Sequence, residues 1–460
     1  MAGGLSGFPG DPGAGLSPNQ QRWQAAGDAP ETKRASGHSA QASDVGGQSG
    51  RVQDGSAEDS PAGDRESAGA TPGSPVTPAD SRLLKKSLAL LAPQSEKAMA
   101  YFFATLFVHN PELRPMFPLA LDDSRQQLFS ALTRCIWASD RPEWLTGWLT
   151  ELARDHRKYG VLEHHYQPFG DALLAAVRAF SDGSWSAQNQ AAWEAALRHI
   201  GATMADAARR FASEPAWWVA EVVEHDQRRP DLAVVTLRPD QPLPYRAGQH
   251  VSVQVPRWPR VWREYSIANA PEPDGLLRLH VRAIPGGAVS TALVHQTRAG
   301  DAVILGRARG DMTADAVMSH RVACVAGGTG LAPVKAIAEA LTGPDWPHPH
   351  PDVQVFFGAR SEADLYDLPD LLRLAADRPS LTVIPVSEEP CSAGLAGVLP
   401  EVAAAHLGPR TKDIVISGPA GMVVRAAAIV PAQAPRAYVH FDPLPDTPGS
   451  VGLSGGGRPL

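Results

Sequence analysis

The sequence predicts a multidomain protein in which an all-α domain precedes an antiparallel β-barrel and an α/β domain with a parallel sheet. Apolar residues recur at three- and four-residue spacing from about residue 83 to 210, which is typical of helices. From about residue 217 the apolar runs are short and are separated by turn residues, which favours a barrel. After about residue 319, strand-length runs alternate with helical stretches, as in a doubly wound parallel sheet.

Length and composition limit the class of protein. A chain of 460 residues suggests about three domains, and 43% hydrophobic residues are sufficient for packed cores. The net charge of −7 and the lack of a basic block argue against a nucleic-acid partner. Cys135, Cys324 and Cys391 are too far apart to indicate a disulfide framework or a zinc site. No apolar run reaches the ~18–20 residues of a membrane span and no signal peptide is recognisable, so we expect a cytoplasmic protein.

These patterns divide the chain into five segments. The first, residues 1–82, contains almost no large apolar residues and is expected to be a disordered tail. An inert tail is the default interpretation, and a regulatory or docking segment is the alternative. The remaining segments are the all-α domain at 83–215, the β-barrel at 216–318, the α/β domain at 319–446 and a flexible C-terminal tail at 447–460.

A Gly-rich turn joins a strand to a helix at the start of the α/β domain. The apolar run Val322–Ala326 leads into Gly327-Gly-Thr-Gly330, and an Ala-rich helical stretch follows. Glycines let the backbone pass close to a phosphate, and the helix behind them directs free N–H groups at it. The turn therefore predicts a dinucleotide site, although such turns also occur without a ligand.

Two further motifs lie in the predicted barrel. Arg263-Glu-Tyr-Ser266 combines a forked donor suited to a phosphate, a flat ring and a hydroxyl, which a flavin nucleotide requires together. Gly286-Gly-Ala-Val-Ser290 provides a second backbone-rich phosphate loop. Each motif by itself is more often an ordinary strand or turn. The order of the motifs along the chain is what indicates a flavin site followed by a dinucleotide site.

In this order the motifs resemble those of the ferredoxin–NADP reductase superfamily, over about residues 217–444. The resemblance implies that Arg263 holds the FAD pyrophosphate, Tyr265 packs on the flavin ring and Ser266 lies near the flavin N5. Arg360 could pair with a 2′-phosphate, or it could be a surface arginine. Leu444 stands where many relatives have an aromatic residue. The cofactor-binding residues implied for the reductase are His250, Arg263, Glu264, Tyr265, Ser266, Gly287, Val289, Ser290, Gly328, Thr329, Gly330, Leu331, Ala332, Pro333, Arg360, Gly418, Pro419, Met422 and Asp442.

The helical domain carries a second set of signals. Tyr101–Phe117 looks like the second globin helix followed by the Phe that packs on haem, and Leu149–His156 ends in a histidine. Neutral imidazole is the usual axial ligand of haem iron in globins. The whole of residues 83–446 thus resembles a flavohaemoglobin, which implies haem b bound by His156, with Phe117 against it and Tyr166 reaching back. His109, His164, His165 and His199 are competing histidines.

The resemblance also exposes departures around the haem. Flavohaemoglobins usually have a distal Tyr where this chain has Phe103, and a Gln where Ser124 falls. Leu128 matches the usual apolar distal residue, and Ala208 replaces a Glu that supports the ligand histidine. Asp206 is nearby in sequence, but two residues along a helix it points elsewhere. Phe103, Leu128 and Tyr166 are the residues expected to shape the haem chemistry.

The family implies a nitric oxide dioxygenase-like enzyme. Electrons would pass from NAD(P)H through FAD to haem, which binds dioxygen and oxidises nitric oxide to nitrate. A monomer with small-molecule ligands and no membrane partner is expected. Two alternatives remain: an NAD(P)H:acceptor flavin oxidoreductase whose globin senses a gas or serves another acceptor, and a non-enzymatic haem carrier or sensor with a degenerate reductase.

Overall fold

A computed structural model describes residues 76–181, 183–390 and 392–442. Most of the predicted N-terminal tail, the whole C-terminal tail, Cys391 and Leu444 therefore lie outside the described residues. Within them a helical region, an antiparallel sheet and a parallel sheet follow one another, which confirms the predicted fold class. None of the described helices is both long and apolar enough to cross a membrane.

The helical region is formed by helices that bury one apolar face each. Its core surrounds Phe102, Leu106 and Trp193, which are fully buried. After His109 the chain turns through a 3₁₀ segment, Pro111–Met116. The helices are α1 Pro78–Leu91, α2 Ser95–His109, α3 Asp122–Trp137, α4 Pro142–His156, α5 Tyr166–Ala179 and α6 Ala187–Arg210.

Helix α1 begins earlier than the sequence interpretation placed it. The Thr77 side chain accepts from the Asp80 backbone N–H, and the Asp80 carboxylate accepts from the Thr77 N–H, so the two form a capping box. Pro78 occupies the first turn, where its missing N–H costs nothing. Residues 78–82 therefore belong to a helix and not to the predicted tail. The Thr-Pro-x-Asp pattern carried this signal.

The antiparallel sheet has the order β4-β3-β6-β1-β2-β5. A bridge between Ile267 and Leu279 joins its two edges and closes the barrel. The strand predicted from Tyr245 starts only at His250, because Gly248, at φ +101°, turns the chain just before it. The elements are β1 Trp218–Arg229, β2 Leu232–Pro239, β3 His250–Gln254, β4 Arg263–Ser266, β5 Leu277–Arg282, helix α7 Ala288–His295 and β6 Ala302–Arg309.

The parallel sheet has the order β10-β9-β8-β7-β11-β12 and carries helices on both faces. Along β7, Val322 and Cys324 face one helical layer and Ala323 and Val325 face the other, as in a sheet buried on both sides. Its elements are β7 Arg321–Gly327, α8 Leu331–Thr342, β8 Asp352–Ala359, α9 Leu368–Asp377, β9 Leu381–Ser387, β10 Leu395–Ala396, α10 Leu399–His406, β11 Asp413–Ser417, α11 Ala420–Ile429 and β12 Tyr438–His440.

Candidate functional site

His156, the predicted iron ligand, is the last residue of α4. Its Nδ1 donates to the Leu152 carbonyl at 2.7 Å, so the neutral ring keeps its lone pair on Nε2. Within the described residues Nε2 has no hydrogen-bond partner. Burial lowers the pKa of His156, which keeps the ring neutral near pH 7. This protonation state is the one that binds haem iron, and His156 therefore fits the group.

The competing histidines have different surroundings. His109 ends α2 and makes the same kind of bond, to the Thr105 carbonyl at 2.9 Å, but it is exposed. His164 and His165 pack edge to face in a 3₁₀ turn, and His199 is half-buried within α6. The Nδ1 bond alone therefore does not identify a ligand. His156 differs because its ring packs on Tyr159 beside the barrel, and its helix also lines a cleft with α3 through Trp148.

This cleft of about 380 Å³ lies between α3 and α4. Trp148, two turns before His156, forms its α4 side, and Arg134 stacks over the Trp148 ring at 5.7 Å. Leu128, the predicted distal residue, is half-buried against the helical core, and Ser124 is half-buried near the start of α3. Neither of them lines the cleft, which is formed by Asp123, Gln126, Gln127, Ser130, Ala131, Arg134 and Trp148.

An aromatic cluster surrounds Phe103, which is only 3% exposed. Its ring centroid lies 4.9 Å from that of Phe102, 5.7 Å from that of Phe107 and 5.4 Å from that of Phe117. Phe117, the predicted haem-packing residue, follows the 3₁₀ segment and is fixed by Arg114, which donates to its carbonyl at 3.2 Å. The structure thus brings Phe103 and Phe117 together, and neither ring carries a hydroxyl group that could donate a hydrogen bond.

Tyr166 begins α5 and packs in a small cluster with Leu149 and Met204. Burial raises the pKa of Tyr166 to about 12, and its hydroxyl is buried without a hydrogen-bond partner in the described residues. The Tyr166 hydroxyl makes no hydrogen bond to His156, whose Nδ1 donates to the Leu152 carbonyl, and the reach of Tyr166 back towards the haem stays a prediction. An unpaired buried hydroxyl costs free energy, so this phenol is suited to a polar group at the haem site.

No carboxylate in the described residues takes the place of the missing proximal Glu beside His156. Ala208 lies half-buried on α6. Asp206 is exposed and pairs with Arg209 at 3.6 Å and Arg210 at 3.0 Å, so it points away as the sequence indicated. The ring therefore keeps a backbone carbonyl as its hydrogen-bond acceptor, which makes it a weaker electron donor than a carboxylate-bonded imidazole.

The predicted flavin strand is β4. Tyr265 is half-buried against the barrel core, and burial raises its pKa. Arg263 is exposed and donates to the Asp123 carboxylate of α3 and to the Trp262 carbonyl. The Arg263 guanidinium thus contacts the helical domain, and its role at a pyrophosphate stays a prediction. Ser266 pairs across the strands with His250.

Charged residues of β3, β4 and β6 lie close together, beside the residue that follows β12. Glu264 pairs with Arg309, and the His250 Nε2 lies 3.6 Å from the Glu264 carboxylate. The His250 Nδ1 is 3.7 Å from the carboxylate of Asp442, which follows β12. The barrel and the α/β domain therefore meet at His250, the residue predicted to contact FAD.

The second predicted phosphate loop turns into α7 at Gly287. A Cβ at Gly287 would lie 2.4 Å from the Ser290 Oγ and 2.6 Å from the Ile284 Cγ1, so any other residue would displace these two side chains. Ser290 donates to the Gly287 carbonyl at 3.3 Å, and Val289 is fully buried. Their side chains shape the turn, which leaves backbone N–H groups at the helix start to meet a phosphate.

The Gly-rich turn after β7 has the geometry of a dinucleotide cradle. Gly328 adopts φ +55°, a conformation that other residues seldom adopt. A Cβ at Gly330 would lie only 2.4 Å from the Ser417 carbonyl oxygen. Thr329 lies between them, and the turn opens α8, whose first residues Leu331, Ala332 and Pro333 are buried in the core. The backbone of the turn is therefore the element predicted to bind the dinucleotide, and the three buried side chains support it.

The end of β11 completes this cradle. The Met422 side chain lies 3.0 Å from where a Cβ on Gly327 would be and 2.3 Å from one on Gly418, and Pro419 lies 3.3 Å from the first. Gly418, Pro419 and Met422 therefore pack directly against the turn. Arg360 follows β8 and is exposed, with no ion pair among the described residues, so its guanidinium is available to a 2′-phosphate.

Sequence reasoning missed the residues at the contact between helical domain and barrel. Lys158 is buried there beside Asp155 and Ser252, and Tyr159 and Trp262 flank it. Nothing in the local sequence marks these residues, because the cluster exists only when two domains pack together. From the sequence alone, the lysine of the Arg-Lys-Tyr turn would be taken for a solvated surface residue.

Comparisons with known proteins follow the same division. A globin family model matches residues 100–204, an oxidoreductase FAD-binding domain model matches 219–313, and an oxidoreductase NAD-binding domain model matches 324–428. Each match lies within one of the three predicted domains. The globin match implies small gaseous ligands, and the other two imply FAD and a nicotinamide dinucleotide.

Relatives and a solved structure match larger parts of the chain. The flavohemoprotein of Bordetella pertussis is 29% identical over 290 residues, which cover 59% of this chain and 72% of that protein. The xylene/toluene monooxygenase electron transfer component XylA of Pseudomonas putida is 33% identical over 198 residues, 42% of this chain and 55% of that protein. A solved flavohemoglobin from Malassezia yamatoensis, with bound FAD and heme, has the same fold with a TM-score of 0.65 at 16% identity, over 80% of this chain and 99% of that one.

Proposed function

We propose that this chain, a globin–reductase fusion of the flavohaemoglobin type, passes electrons from NAD(P)H through FAD to haem and oxidises nitric oxide to nitrate. We place it in the cytoplasm as a monomer. Its domains would follow the segments 83–215, 216–318 and 319–446, with the first extended to Pro78.

One observation carries the proposal: the helix that ends in His156 pairs with β6, the barrel strand next to β3 and its predicted flavin residue His250. Asp155, next to the histidine, is 3.4 Å from Arg309 of β6, and Glu151 of the same helix pairs with Arg307 at 2.5 Å. Asp123 of α3 pairs with Arg263 of β4. Ion pairs on both helices that border the cleft thus hold the globin against the barrel, which supports electron transfer within one chain.

The protein's own residues then have defined tasks. His156 would hold the iron through Nε2, while its Nδ1–H stays on the Leu152 carbonyl. The turn at Gly328 and Gly330 would hold the dinucleotide, and Tyr265 would present its ring to the flavin. The bound cofactors would supply hydride transfer, single-electron transfer and dioxygen chemistry. The protein's contribution is to hold them in order and to exclude water.

The competing function is an NAD(P)H:acceptor oxidoreductase whose globin senses a gas or serves another acceptor. Phe103 favours it, because a ring without a hydroxyl cannot donate to a partly negative ligand. The reductase likeness to an electron transfer component points the same way.

The test measures nitric oxide consumption by the purified holoprotein with NADH or NADPH in air. Conversion of nitric oxide and dioxygen to nitrate takes up one electron, so one NADH should be consumed for every two nitric oxide molecules. Nitrate as the product at this ratio supports the dioxygenase. NADH oxidation that is independent of nitric oxide, with no nitrate formed, would support the competing function instead.

A further inference from the structure

A buried lysine lies where the globin meets the barrel. The Lys158 side chain is 3% exposed, and its Nζ donates to both Asp155 carboxylate oxygens, at 3.0 and 2.9 Å. It also donates at 3.0 Å to the Oγ of Ser252, which is 1% exposed on β3 of the barrel. A buried ammonium is costly unless it is paired and hydrogen-bonded, and here the barrel supplies one of the partners.

Two aromatic rings cover the same ammonium. Its Nζ lies 5.2 Å from the ring centroids of both Tyr159 and Trp262. Tyr159 packs edge to face on His156, with centroids 5.7 Å apart, and on Trp262, at 6.2 Å. Trp262 directly precedes β4, the predicted flavin strand. A continuous packed path therefore runs from the iron-ligand histidine to the flavin strand, with Lys158 at its centre.

The barrel is shaped to receive this lysine. Gly306 of β6 would place a Cβ 2.2 Å from the Ser252 Oγ and 3.4 Å from the Lys158 Cδ. Any larger residue at Gly306 would push both groups away. The junction formed by Lys158, Asp155, Ser252, Gly306, Tyr159 and Trp262 thus depends on both domains.

We propose that Lys158 is a positioning residue for electron transfer: it fixes the His156 turn on the flavin-binding strands and so sets the distance between the two redox centres. The inference rests on the proposed electron path from flavin to haem. The hydrogen-bond partners of Lys158 among the described residues are Asp155 and Ser252, and neither is predicted to bind FAD or NAD(P)H, so reduction of the flavin should not depend on Lys158. Electrostatic and cation–π contacts fix its place, and a neutral side chain would lose both.

The test compares Lys158→Met with Lys97→Met, a control at an exposed position on α2. Anaerobic mixing of the holoprotein with NADH under CO separates bleaching of the flavin from formation of the ferrous–CO haem spectrum. We expect an unchanged flavin step and a haem step slowed at least about tenfold in Lys158→Met, because small misplacements of reacting centres cost large factors in rate. The Lys97→Met control should match the unsubstituted chain in both steps.

A second readout needs no cofactor. In the haem- and flavin-free protein, protease cleavage of the connection between Arg210 and Trp218 should be faster in Lys158→Met, because the globin is held less tightly against the barrel. Lys158→Arg, which keeps the charge, should partly restore both readouts.

Gly306→Ala attacks the same junction from the barrel side. It should slow the haem step alone, and the double variant with Lys158→Met should lose less than the product of the two effects, as expected for residues in contact. Should Lys158→Met fail to fold, the Gly306→Ala rates decide. A haem step at the normal rate in a folded variant, or equal slowing of both steps, would overturn the proposal. If the unsubstituted chain itself reduces no haem, the proposed function fails, and the proteolysis result still judges the docking role.

Discussion

The α/β domain and the helical domain build their predicted cofactor sites from different parts of the chain. Around Gly328 and Gly330 the ligand-binding element is backbone, and the neighbouring side chains are buried in support. Around His156 the site depends on individual side chains: one ring nitrogen, one unpaired phenol and a cluster of phenylalanines. A site built from backbone is altered mainly when one of its glycines is replaced, and such a replacement is evident in the sequence. A side-chain site can change its chemistry by single substitutions while the helices remain.

The largest expected effect comes from removing the side chain of His156, the predicted iron ligand. His156→Ala should abolish haem incorporation and leave the FAD content intact, because the two sites lie on separate domains. His109→Ala is the matched control, since His109 ends a helix with the same Nδ1–carbonyl bond. The Soret absorbance and the flavin absorbance of the purified variants give both contents. A normal Soret band in His156→Ala would move the ligand to another histidine.

The backbone character of the dinucleotide site predicts the next largest effect. In Gly330→Ala the added methyl group would lie 2.4 Å from the Ser417 carbonyl, so the turn must move away from β11. We expect NADH to reduce the flavin about a hundredfold more slowly, with haem content unchanged. Gly408→Ala, where a Cβ has no neighbour within 4 Å, is the control. Normal hydride transfer in Gly330→Ala would mean that the dinucleotide binds elsewhere.

These two regions also differ in how far the sequence predicted them. The Gly-rich turn follows a strand and opens a helix, so local pattern alone placed it, and the structure shows the turn that was expected. The sequence could not predict that Arg263 pairs with Asp123, or that Lys158 is buried against Ser252. Each depends on which side chains two separate elements bring together, and a single sequence carries no record of that pairing.

Helix boundaries show the same limit on a smaller scale. The capping box of Thr77 and Asp80 is a local signal that could have been recognised in the sequence. The start of β3 at His250, in contrast, depends on the backbone angle φ of Gly248. The resemblance to flavohaemoglobins placed Phe103, Leu128 and Ser124 on the distal side of the haem. Of these, Phe103 packs next to Phe117, while Leu128 turns into the helical core, because α3 presents a different face to the cleft.

The variant Phe103→Tyr tests whether one side chain sets the chemistry of the haem site. A phenol at this position would add a donor worth about 1.5–3 kcal/mol to a charged acceptor, so autoxidation of the oxygenated protein should slow by about tenfold. Phe107→Tyr, in the same aromatic cluster, is the control. Stopped-flow mixing of the reduced protein with dioxygen measures the decay. An unsubstituted protein that is already as slow as Phe103→Tyr would show that another donor reaches the ligand.

The smallest effect concerns the contact between the barrel and the α/β domain. His280 shares a 2.7 Å hydrogen bond with the Tyr366 hydroxyl, and burial holds the pKa of His280 well below its usual value. Below about pH 6.5 the unfolded chain gains a proton that the folded chain does not, so stability falls as pH falls, by up to about 1.4 kcal/mol per unit. Above pH 6.5 His280 contributes no slope.

His280→Gln removes this titration while keeping a hydrogen-bonding group for Tyr366. Between pH 6.5 and 5.5 its free energy of unfolding should fall less steeply than that of the unsubstituted chain, and His320→Gln at an exposed position should not differ from it. Urea unfolding at several pH values measures the slopes. Equal slopes for all three proteins would show that His280 takes up its proton in the folded chain over the same pH range as in the unfolded chain.

In the proposed function, electrons reach the His156-bound haem from NAD(P)H inside one chain. Anaerobic stopped-flow mixing of the holoprotein with NADH under CO tests it directly, at several protein concentrations. Flavin absorbance should bleach first, and the ferrous–CO Soret band should then grow with a rate constant that does not change with protein concentration. A haem that stays ferric beside reduced flavin, or a rate constant that rises in proportion to protein concentration, would contradict the claim.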